Sequence, residues 1–124
     1  MYVLTVKDMF SAAHRLSGAG GKCEELHGHN YVVEVSVQGE KLGDEGVLID
    51  FRQLKEAVKQ VLLLLDHKYL NDIDFFQKHS SSSEYIAHFI YMNLKEVLRE
   101  KSVKLSEVRV WESENSCASF REEK

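Results

Sequence analysis

The sequence predicts an α+β domain in which two helices cover a single antiparallel sheet. Period-two alternation marks both ends of the chain, while apolar residues three and four apart occupy its middle. The 124 residues are enough for one core. The element order is therefore β-β-α-α-β-β over one domain, residues 1–124, with no internal repeat or linker.

Residues 2 to 10, "YVLTVKDMF", are rich in β-branched and aromatic types and predict the first strand. "SAAHR" continues it into a glycine-rich loop, "LSGAGGK". Residues 29 to 38 predict the second strand, with Tyr31, Val33, Val35 and Val37 on one face and Glu34, Ser36 and Gln38 on the other. After a polar turn, Asp50 is a good N-cap for a first helix. Phe51, Leu54, Val58, Val61, Leu62 and Leu65 line its apolar face. "DHKYLNDIDFFQKHSSS" is polar and irregular and is expected to be a long loop. The serines of "SSSE" cap a second helix, with Ile86, Phe89, Ile90, Leu94, Val97 and Leu98 facing the core. "VKLSEVRVWE" and "CASFRE" supply the last two strands. Such a sheet has two open edges, which favours assembly with copies of the same chain.

Composition narrows the function. Sixteen basic residues against 20 acidic ones give a net charge of −4, which argues against a general nucleic-acid binder. No apolar run approaches the roughly 18 to 20 residues that span a bilayer. No secretory leader precedes the first strand, so a cytoplasmic protein is expected, with Cys23 and Cys117 as reduced thiols. The "SGAGGKC" loop fails the phosphate-cradle pattern: Leu16 stands at its first glycine, and Cys23 replaces the hydroxyl that holds magnesium.

The chemistry concentrates in "KCEELHGHNYVVEVSV", residues 22 to 37. His27 and His29 lie two apart at the start of a strand, so both rings project to one side. An isolated pair of this kind is more often hydrogen-bonded surface than ligand. His14, at the end of the preceding strand, becomes the third if the two strands pair antiparallel. Three neutral imidazoles at about 2.0 to 2.1 Å with one open position describe a catalytic zinc site. Cys23 admits three readings: a fourth ligand that closes the site, an inert buried thiol, or a base or nucleophile activated by nearby positive charge.

Two further groups are weaker alone. Asp66 followed by His67 is either a helix-end cap or an acid–base pair in which the carboxylate fixes the imidazole tautomer. Glu112, near a strand end, is either solvated or able to accept paired N–H bonds from a flat heterocycle.

Together, "FSAAHRL", "KCEELHGHNYVVEV", "GVLIDFRQLK", "LDHKYLN", "SSSEYIA" and "VWESENSCASF" resemble the 6-pyruvoyltetrahydropterin synthase and 6-carboxytetrahydropterin synthase family, in its order and over nearly the whole chain. The resemblance implies the tunnelling fold, whose sheets join in a trimer into a β-barrel, with two trimers stacking as a hexamer and active sites at subunit interfaces. The implied substrate is 7,8-dihydroneopterin triphosphate. By match, His14, His27 and His29 are the Zn2+ ligands, Cys23 is the catalytic base, Asp66 and His67 complete the proton relay, and Glu112 anchors the pterin.

The Cys-x3-His-Gly-His spacing looks like that of the 6-carboxytetrahydropterin synthases of queuosine and deazapurine synthesis. Glu24, three residues before His27, also matches the Glu-x-x-His-Gly-His of a branch that makes 6-hydroxymethyldihydropterin for folate, so the chain resembles a dual-motif subgroup. Formation of 6-pyruvoyltetrahydropterin is a further alternative, and a non-catalytic zinc-binding assembly protein is an alternative of another class. The family often has Pro-Thr-Ser-Glu where this chain has Ser81, Ser82, Ser83 and Glu84. The match implies substrate contacts from Ser82 and Ser83, and the missing proline is expected to loosen the preceding loop. Arg15, Lys22, Lys68, Lys78 and His79 are loop cations available to a triphosphate, although any one of them is more simply a solvated surface group.

Overall fold

A computed structural model describes residues 1–16 and 25–123. The elements are β1 (Tyr2–His14), β2 (His27–Gly39), α1 (Phe51–Leu62), β3 (Lys68–Tyr69), α2 (Asp74–Lys78), α3 (Ser83–Val97), β4 (Lys104–Ser113) and β5 (Ser116–Phe120). They form one sheet in the order β3-β1-β2-β4-β5. All neighbouring strands are antiparallel except β3, which runs parallel to β1.

Period-two alternation organises the sheet. In β2, Tyr31, Val33, Val35 and Val37 are fully buried, and they meet Val6 and Phe10 of β1 and Val108 and Val110 of β4 in the core. The helices close that face. Leu54, Val58, Val61 and Leu62 of α1 and Ile86, Ile90 and Leu94 of α3 are buried against it. Both predicted caps are present: Asp50 accepts from the Arg52 backbone N–H, and Ser82 from that of Tyr85. Each satisfies a donor that the first helical turn leaves free.

Three expectations need correction. Residues 66–82 are not one long loop, because they contain β3, a 3-10 turn at Leu70–Asp72 and α2. Leu70 and Phe76 are buried there, so tertiary contacts pin segments too short to show a period. Phe51 is 52% exposed, since the first turn of α1 overhangs the sheet beside Tyr2, Leu42 and Val47. Val97, the last residue of α3, is also exposed. The first two strands do reach His14 and start at His27, as their sequence suggests, which places the histidines in the sheet itself.

Candidate functional site

The β1–β2 ladder ends with His14 opposite His27, and His29 lies opposite Ala12. Even positions of β1 and odd positions of β2 face the helices, so the three imidazoles stand on the core side at one end of the sheet. The small side chain of Ala12 leaves room beside His29. Ring centroids are 4.5 Å apart for His14 and His27, 5.2 Å for His14 and His29, and 4.8 Å for His27 and His29. Glu112, near the end of β4, completes a cluster whose ligand atoms all lie within 4.8 Å of one another.

Hydrogen bonds fix the tautomers of two rings. His14 Nδ1 lies 2.7 Å from the Ser81 carbonyl oxygen, and His27 Nδ1 lies 2.7 Å from that of Glu25. A carbonyl oxygen only accepts, so both protons sit on Nδ1 and both Nε2 atoms present lone pairs. This is the outer-shell arrangement that orients metal-binding histidines. Burial also lowers the pKa of His14 and of His29, favouring neutral rings.

His29 supplies the test of whether a metal fits. Its Nε2 is buried and lies 2.9 Å from Glu112 Oε1, yet it makes no hydrogen bond among the described residues. A buried imidazole nitrogen facing a carboxylate oxygen without a hydrogen bond is costly unless a cation joins the two. Three neutral imidazoles and one carboxylate suit a divalent ion such as zinc.

Sequence reading missed three contributors. The fully buried Tyr31 places its hydroxyl 3.3 Å from His14 Nε2, and burial pushes its phenol far above the ordinary value. The signal was its position two residues after His29, on the same face. Ser81 is fully buried and Asn71 is bonded to Arg15. The missing proline does not leave this segment untied: Ser81 Oγ lies 3.1 Å from the Arg15 carbonyl oxygen.

The other predicted residues fall around this centre. Asp66 Oδ1 accepts from the Ser11 N–H at 3.0 Å, and its Oδ2 lies 3.1 Å from His67 Nδ1. The Ser11 bond first, and then the charge of His67, hold the Asp66 carboxyl below its ordinary range. His67 has φ of 59° and is tied through its N–H to the Ser11 carbonyl. Its 82% exposed side chain lines a groove with Ser11, His29, Asn30 and Lys68. Ser83 donates to Glu112 Oε2 at 3.0 Å, while the Ser82 hydroxyl is engaged in capping α3. Lys78 ends α2, and the His79 ring lies between Phe75 and Tyr85. Cys23, Glu24 and Lys22 lie outside the described residues.

Comparison with known proteins follows the same lines. Residues 3–123 match the family model for 6-pyruvoyl tetrahydropterin synthase. The chain is 34% identical to a 6-pyruvoyl tetrahydrobiopterin synthase of Drosophila melanogaster, over 95% of this chain and 78% of the relative. It is 32% identical to the 6-carboxy-5,6,7,8-tetrahydropterin synthase of Haemophilus influenzae, over 98% of this chain and 100% of the relative. The structure of Caenorhabditis elegans 6-pyruvoyl tetrahydropterin synthase superposes with a TM-score of 0.86 at 33% identity, covering 99% of this chain and 98% of the other.

Proposed function

This chain belongs to the 6-pyruvoyl tetrahydropterin synthase family and shares its tunnelling fold, and on that premise we propose that it is a zinc-dependent lyase converting 7,8-dihydroneopterin triphosphate and water to 6-carboxy-5,6,7,8-tetrahydropterin, with release of acetaldehyde and triphosphate. The product would feed queuosine or other deazapurine synthesis. The observation that carries the reading is the convergence of His14, His27 and His29 beside Glu112. Cys23, four residues ahead of His27, supports the carboxy product.

A zinc ion held by the three Nε2-side faces would polarise the substrate's side-chain hydroxyls as a Lewis acid and acidify the adjoining C–H bonds. The chain's own groups do the rest. Ser81 and Glu25 keep the lone pairs of His14 and His27 directed inward. Cys23 takes a proton from the substrate side chain, and His67, oriented by Asp66, carries a second. Glu112 accepts paired N–H bonds from the pterin, with Ser83 steadying one of its oxygens. Ser82 and Ser83 would contact substrate through the lone pairs that their bonds to the Tyr85 N–H and to Glu112 leave free.

The reading extends to a homo-oligomer, a trimer or hexamer, with active sites shared between subunits. The open edges at β3 and β5 and the exposure of His67 support it. No partnership with nucleic acid or membrane is proposed, and among the described residues no helix is long and apolar enough to cross a bilayer. The cytoplasm is the expected location.

Glu24 favours a second reading, formation of 6-hydroxymethyl-7,8-dihydropterin for folate synthesis. Relatives named for the 6-pyruvoyl product keep that outcome as an alternative. Incubation of the zinc-loaded protein with 7,8-dihydroneopterin triphosphate, with products identified by mass spectrometry, separates them. Cys23→Ala should abolish the carboxy product, and Glu24→Ala should suppress only a hydroxymethyl product. Absence of turnover by the loaded wild type would leave a non-catalytic zinc-binding assembly protein.

A further inference from the structure

We propose that Asn71 and Ser81 act as a positioning pair for His14 and thereby set how tightly the three-histidine centre binds a divalent cation. The proposal rests on the reading of His14, His27 and His29 as metal ligands and adds two residues that touch neither metal nor substrate.

Among the described residues, the last pair of the β1–β2 ladder is His14 with His27, and Arg15 is the next residue along the chain. The Asn71 side chain binds the Arg15 backbone. Its Oδ1 accepts from the Arg15 N–H at 3.0 Å, and its Nδ2 donates to the Arg15 carbonyl oxygen at 3.0 Å. One side-chain amide thus holds both backbone polar groups of the residue beside the ligand. Asn71 sits in the 3-10 turn Leu70–Asp72, which is anchored by the fully buried Leu70.

Ser81 closes the circuit. Its hydroxyl lies 3.1 Å from the Arg15 carbonyl oxygen and 3.3 Å from Asn71 Oδ1. Its own carbonyl oxygen accepts from His14 Nδ1 at 2.7 Å. The chain of hydrogen bonds runs from the His14 imidazole through Ser81 to the carbonyl of Arg15, so one residue holds the ligand's ring and the backbone of the residue next to it. His14 and Ser81 are both fully buried, so the bond between the imidazole and the Ser81 carbonyl is shielded from water and depends on where Ser81 is held. The Asn71 bonds to Arg15 lie at the surface. Without the pair, the His14 ring would still project from β1, but its Nε2 would no longer be aimed.

The test uses zinc-free full-length protein, titrated with Co2+ by visible absorption and with Zn2+ against a chromophoric chelator. Asn71→Ala and Ser81→Ala should each weaken binding by about 10- to 100-fold, the range seen for outer-shell changes, with unchanged far-ultraviolet circular dichroism and altered Co2+ bands. The double variant should be little weaker than Asn71→Ala alone, because the two act as a unit. Wild-type affinity in both folded variants, or fully additive losses, overturns the proposal while leaving the metal reading intact. If Asn71→Ala does not fold, Ser81→Ala decides by the same affinity criterion. Failure of the wild-type protein to bind Co2+ or Zn2+ overturns the metal reading and this proposal together.

Discussion

Glu112 Oε1 lies 2.9 Å from His29 Nε2, yet among the described residues the nitrogen makes no hydrogen bond. The carboxylate therefore stands between two employments. It either joins the imidazoles around a cation or turns toward a bound heterocycle, with Ser83 retaining its other oxygen.

Glu112→Gln separates these. As a pterin anchor, the residue should lose roughly 10- to 100-fold in affinity for 7,8-dihydroneopterin when its charge is removed, as expected for hydrogen bonds to an ionised group. The zinc content, measured by plasma mass spectrometry, should stay at the wild-type level. Loss of metal with pterin binding intact would instead make Glu112 a ligand.

Acid should destabilise the zinc-free protein in a defined window. Burial holds His14 and His29 below the ordinary histidine value of 6.5. As pH falls past that value, the unfolded chain takes up protons before the folded one does, so stability is present above it and lost toward the depressed folded values. Asp66, also depressed, acts in the same direction at lower pH. Urea midpoints should therefore fall between pH 7.5 and pH 5.5, conditions set on the order of one unit either side of the histidine range. His14→Gln should flatten that fall, and a midpoint insensitive to pH in the wild type would contradict the assignment.

Why some of this was legible in the sequence and some was not has a physical basis. Strand β2 alternates because every second side chain enters the core, and the same period puts His27 and His29 on one face. The caps at Asp50 and Ser82 were readable because a cap acts on its immediate neighbours. Asn71 and Ser81 gave no such signal: their bonds to Arg15 span 56 and 66 residues, and their partners are backbone atoms. The segment with β3 and α2 hid for a related reason, since one or two helical turns are too short to establish a period.

Leu54 reports on the packing that supports the site. It is fully buried where α1 meets the sheet. Leu54→Ala should cost about 2–5 kcal/mol of unfolding free energy, the range for a leucine truncated in a core that only partly relaxes. Chemical denaturation of the zinc-free protein measures it, and a loss below about 1 kcal/mol would mean that the helix–sheet interface repacks freely.

Cys23 and His67 offer a test of shared active sites. His67 is tied to the β1 edge at Ser11, and most of its side chain faces solvent. If its partner thiol belongs to another copy of the chain, Cys23→Ala and His67→Ala should each be inactive alone yet complement when subunits are unfolded together and reassembled. Random assembly leaves about a quarter of the sites with both groups intact, provided the contact joins unlike patches on two subunits. Recovery of roughly that fraction of wild-type carboxy-product formation, from two inactive parents with full zinc content, is the expected result. If both groups came from one chain, every site in the mixture would lack one of them, and no activity would return.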